Sequence, residues 1–147
     1  MRAYRQEVFR DQLPLVDCFA RHLVHYRVVK GHLDARRPQS PFWSDTCNAH
    51  LLQATIYWCM VFGARGPNPT HLRNLAVGDA DALQASFRAR VASALGITEA
   101  DWTSYWEQMD AFRSGYAAHR ELSFKEPVPN FDRALEAAFC YEDWVGS

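Results

Sequence analysis

The sequence predicts an all-α protein, an up-down bundle of about five helices. Three observations carry this. β-Branched residues are scarce, with two Ile, ten Val and five Thr, while the good helix formers Ala, Leu, Arg, Glu and Gln are plentiful. The seven Gly and seven Pro fall mostly into groups and leave four long windows free of both. Within those windows apolar residues recur at three- and four-residue steps, the period of a helix with one buried face.

The first window predicts helix over about 4–34, with Pro14 marking a kink or the first turn of a second helix. Residues 35–41 read as a loop, and Ser44 or Asp45 offers an N-cap for a helix running to Phe62. That helix carries Leu, Ile, Tyr, Trp, Met and Phe around most of its circumference, as a central buried helix does. The stretch 63–70 cannot continue it and forms a loop, with a short turn through 71–75. Residues 79–95 make the next helix, closed by Gly96. Thr98 with Asp101 resembles a capping box opening a helix that ends near Ala118, on which Trp102, Trp106, Met109, Phe112 and Tyr116 form an apolar stripe. After Pro127 and Pro129, Asn130 caps a last helix whose Phe131, Leu135, Ala138 and Phe139 are expected to face the core.

Composition fits one ordinary domain spanning residues 1–147, 48% hydrophobic and 22% charged. At this length folding hides roughly 70% of the unfolded chain's surface, enough for a core without staples. The longest nearly continuous apolar run, 51–62, falls short of the ~20 residues of a membrane helix, so no membrane partner is expected. Arg2, Arg5 and Glu7 stand where a signal peptide needs apolar residues, and the expected location is the cytoplasm. Cys18, Cys47, Cys59 and Cys140 include no C-x-x-C pair and read as buried free thiols. A net charge of −1 excludes a strongly basic nucleic-acid coat but permits a local patch, for which Arg36-Arg37 and Arg88-x-Arg90 are candidates. No G-x-S-x-G, Walker loop or G-x-G-x-x-G occurs.

Arg113 lies within about 40° of the centre of the apolar stripe, where a bundle places apolar side chains. A guanidinium cannot shed its charge, so it must find an anion, reach water along its stem, or line a cleft or subunit interface. His119 follows six residues later, then Arg120 and Glu121. On an unbroken helix the pair stands about 120° and ~9 Å apart, too far for direct contact. They converge on one phosphodiester only if the helix frays near His119 or if two copies of the site face each other.

The run Arg113-Ser-Gly-Tyr-Ala-Ala-His119 resembles the R-x(4-6)-H signature of the HEPN superfamily of small all-helical bundles. These include dimeric, metal-independent ribonucleases of toxin-antitoxin and phage-defence systems. The resemblance extends over residues 112–121 and the loop and amphipathic helix that follow. Ser114 stands where nucleases of the family often carry Asn, Asp or His. Glu121 stands where a Tyr commonly lies in members regulated by nucleotidyltransferase antitoxins, so that regulation is not implied.

The resemblance implies a homodimeric endoribonuclease leaving 2′,3′-cyclic phosphate ends, needing no cofactor and no metal, with RNA as substrate and an antitoxin protein as possible partner. The residue chemistry is compatible. Arg113 can grip phosphate oxygens through its fork of donors and His119 can move a proton near neutral pH. Ser114, Tyr116 and Arg120 are the candidate substrate-binding residues, Tyr116 by stacking a base and Arg120 by charge. The alternative is a non-catalytic HEPN-like module binding nucleotide, RNA or a protein partner. The plainest alternative is structural, since an Arg on a helix flank and a His near a helix C-terminus complement the macrodipole.

A more distant option is a metal-dependent enzyme built on His22 and His25, which are i, i+3 on one helix, with Asp17 or Asp34 as further ligands at a stretch. His50 and His71 read as structural contacts, the loop 65–73 as a solvated connection. Tyr141 and Trp144 fit either a dimer interface or a wedge against the first helix.

Overall fold

A computed structural model describes residues 4–36, 40–64, 66, 68–118 and 127–146. They form five α-helices, α1 Gln6–Arg36, α2 Pro41–Phe62, α3 Ala80–Leu95, α4 Glu99–Phe112 and α5 Phe131–Gly146, with a 3-10 turn at Leu72–Leu75 and a π-helical turn at Arg113–Ala118. The protein is an all-α helical bundle, as composition and period predict. Among the described residues no helix is long and apolar enough to cross a membrane.

The first window folds as one helix, not two. Pro14 sits inside α1 on its exposed side, where the helical bond its missing N–H would give the Arg10 carbonyl is lost outside the core. α2 starts earlier than Ser44 or Asp45 because Pro41, with its φ fixed at a helical value, occupies the first turn behind Ser40. His22 meets His50 while Tyr26 meets Cys47, so α1 and α2 run antiparallel. α1 is likewise antiparallel to α5, since Gln12 meets Tyr141 and Arg27 pairs with Asp132.

The caps follow the sequence closely. Asp79 accepts from the backbone N–H groups of Asp81 and Ala82, and Gly96 closes α3 at φ +65°, where a Cβ would be strained. Thr98 and Asp101 form the reciprocal capping box. Asn130 accepts from the Asp132 N–H at 2.9 Å.

The core is aromatic. Phe62 stacks on Phe87 at 5.6 Å, Tyr141 meets both edge-on, and Trp58 donates its indole N–H to the Ala134 carbonyl at 3.2 Å. Trp144 packs on Tyr4 and Phe87, and Tyr141 is fully buried, so both wedge into the fold rather than await a second subunit. Phe139, expected inside, is 51% exposed. The buried stripe of α5 is centred on Ala134, Ala137, Tyr141 and Trp144, which leaves Phe139 on the opposite face.

Candidate functional site

α4 buries Trp102, Tyr105, Met109 and Phe112. Tyr105, absent from the stripe read in the sequence, satisfies its hydroxyl on the Asn130 carbonyl at 2.7 Å. The stripe is thus rotated toward Tyr105, and Trp106 becomes half-buried, its indole N–H held by the Phe62 carbonyl at 2.6 Å. This rotation resolves the apparent conflict at Arg113. The guanidinium is exposed on the flank of the stripe, and among the described residues it enters no ion pair.

Arg113 is also where the helix changes. From Arg113 to Ala118 the backbone widens into a π-helical turn, an arrangement found disproportionately at functional sites. The turn packs against α2 and α4. In it Gly115 is buried, Ser114 and Tyr116 are half-buried, and the Tyr116 ring stacks on Phe112 at 5.0 Å. His119 and Arg120 lie outside the described residues.

Beside the π turn is an open cleft of about 450 Å³ lined by Arg113, Asp110, Asn68, Met60 and Cys59 among others. Its far wall is the turn after α2. Gly63 is required there, because a Cβ would stand 2.6 Å from the Cys59 carbonyl oxygen. His71 locks the same turn, with one ring nitrogen on the Gly63 carbonyl at 2.9 Å and the other accepting from the Arg73 N–H. The first bond therefore requires the Nε2–H tautomer. Asn68 donates to the Met60 carbonyl at 2.7 Å and accepts from Thr70. The loop read as a solvated connection is thus internally bonded, and it forms one side of the cleft. Burial pushes the Cys59 thiol up to about 12, with Asp110 adding to the rise and Arg113 opposing it, so Cys59 is not a nucleophile at neutral pH.

A second cluster lies between α1 and α2. His22, His25 and His50 bring one nitrogen each to within 4.8 Å of one another. The Nδ1 atoms of His22 and His50 are 2.9 Å apart, and Tyr57 stacks on His22. Burial lowers the pKa of His22, reinforced by His50, His25 and Arg21, and burial then His25 lower that of His50. Sequence reasoning paired His22 with His25 but missed His50, for which the only available signal was the antiparallel register of α1 and α2. Asp17 and Asp34 are engaged by Arg21 and Lys30 and stay out of the cluster. No family model, no curated protein and no solved structure matches the chain.

Proposed function

We propose that the chain is a metal-independent endoribonuclease of the HEPN type, working as a homodimer on RNA in a toxin-antitoxin or phage-defence setting. The observation that carries the reading is an exposed Arg113 outside every ion pair of the described residues, at the first position of a π turn and on the wall of an open cleft. A cation so placed is available to an external anion, and its planar fork matches the non-bridging oxygens of a phosphodiester. The π turn departs from regular α-helix over Arg113–Ala118, the segment that leads up to His119 in the sequence.

In this reading the ribose 2′-hydroxyl loses its proton to one His119 and attacks phosphorus. The P–O5′ bond breaks, and a second His119 protonates the departing 5′-oxygen, leaving a 2′,3′-cyclic phosphate and a 5′-hydroxyl. Arg113 stabilises the phosphorane between them. One imidazole cannot serve both sides of phosphorus, and a two-fold dimer supplies the second. Tyr116, packed on Phe112, offers ring surface for a base, while Ser114 and Arg120 are the remaining substrate contacts.

The test is cleavage of a mixed RNA substrate in excess chelator by wild type, Arg113→Ala and His119→Ala, with mass measured by light scattering. Cyclic-phosphate ends that vanish in both folded, dimeric variants are expected. A folded wild type that leaves a broad RNA panel uncut, or variants that cut as well as wild type, would overturn the reading.

A further inference from the structure

The three histidines between α1 and α2 stand apart from the Arg113 cleft. At about 1.5 Å per residue, the nine residues from His50 to Cys59 span about 13 Å of α2. No step of the proposed cleavage uses them. Two come from one turn of α1 and the third from α2, so their meeting depends on the packing of the two helices.

We propose that His22, His25 and His50 form a binding site for a zinc-class divalent metal ion that cross-links α1 to α2 through three imidazole nitrogens. The nitrogens already lie within 4.8 Å of one another. Two ligands of a tetrahedral zinc stand about 3.3 Å apart, so the 2.9 Å pair of His22 and His50 needs to open by only a few tenths of an ångström. His25 is exposed and its ring lies 5.0 Å from that of His50, so an ion can enter from solvent on that side. The fourth position is left to water.

The donor set selects the metal class. Imidazole favours zinc, copper, nickel and cobalt over calcium and magnesium, which require oxygen ligands. The nearby carboxylates Asp17 and Asp34 are taken up by their own i+4 cations. Cys47 is one turn from His50 but buried, with its thiol on the Tyr26 carbonyl at 3.9 Å.

The test uses the full chain, stripped with chelator and titrated with cobalt(II), whose visible spectrum reports coordination, then with zinc. One cobalt per chain with the bands of a four-coordinate site, displaced by one equivalent of zinc, is expected. His22→Gln, His25→Gln and His50→Gln should each weaken binding by at least about tenfold, while His32→Gln does not. His25, being exposed, can be replaced without disturbing the core should the other two variants fail to fold. Absence of cobalt bands in wild type, binding that survives in the folded histidine variants, or an intense thiolate-to-cobalt band would overturn the site. The readout is metal binding, so its failure leaves the nuclease reading untouched.

Discussion

The Nδ1 atom of His22 lies 2.9 Å from the Nδ1 atom of His50 across the α1–α2 interface. At that distance one ring donates and the other accepts, so the two cannot both be imidazolium in this geometry. Burial lowers both pKa values, and neighbouring His25 lowers them further.

This pair predicts acid sensitivity in the metal-free protein. The folded state holds His22 and His50 neutral to lower pH than the unfolded chain does, so protons bind the unfolded chain first. The contribution is complete above the ordinary imidazole value of 6.5 and is lost as pH falls through and below it. Arg21 adds to the repulsion at His22, but its charge does not change in this range. Melting temperature in excess chelator should drop between about pH 7 and pH 5, and the slope should flatten in His22→Gln/His50→Gln. An equal acid slope in the double variant would show that other groups control it.

Gln12 is a buried polar junction. It is fully buried, donates to the Thr70 carbonyl at 2.9 Å, and accepts the Tyr141 hydroxyl, joining α1, the loop and α5. Gln12→Leu strands both partners and should cost about 1–3 kcal/mol in denaturant melts. Adding Tyr141→Phe removes one stranded group, so the double variant should be more stable than the sum of the single losses implies. Strict additivity would mean that the two residues do not share a bond.

Local signals were legible in the sequence because they involve neighbours along the chain. The Thr98–Asp101 box, the Asn130 cap and the Gly96 stop all formed as read, while Asp79, read as the first residue of its helix, is the N-cap before it. What failed to show depends on rotation and register. The choice of Phe139 over Tyr141 for the core face is a matter of turning α5 about its axis, and α3 and α2 decide it by packing Phe87 and Phe62 on Tyr141. The three-histidine cluster needs the α1–α2 register, and the cleft needs Asn68 and Asp110 brought together from residues 42 apart in sequence.

Thiol chemistry separates the four cysteines. Burial raises the pKa values of Cys47, Cys59 and Cys140, whereas Cys18 is partly exposed. Because the thiolate is the reactive form, a brief treatment of native protein with iodoacetamide should label Cys18 first. Peptide mass mapping reads the order, and early labelling of Cys59 would contradict the buried wall of the cleft.

Gly63→Ala should damage the cleft from behind. The new Cβ would meet the Cys59 carbonyl, the acceptor for the Gly63 N–H at 3.0 Å, so backbone must move. The shift also disturbs the Gly63 carbonyl that anchors His71. A loss of more than about 1 kcal/mol is expected, together, on the proposed nuclease reading, with weakened RNA binding. Unchanged stability would place the turn under no steric constraint.

Arg113 separates stability from function most sharply. Its side chain is exposed and outside the ion pairs of the described residues, so Arg113→Ala should leave the melting temperature within the scatter of an ordinary surface change, about 0.5 kcal/mol. On the proposed nuclease reading, loss of this donor to the phosphorane should reduce the cleavage rate by about 10²–10³. Arg113→Lys keeps the charge but not the fork, so it should recover binding of uncleavable RNA more fully than it recovers rate. Equal recovery of both would assign Arg113 to general charge attraction, and a large drop in melting temperature for Arg113→Ala would assign it to the fold.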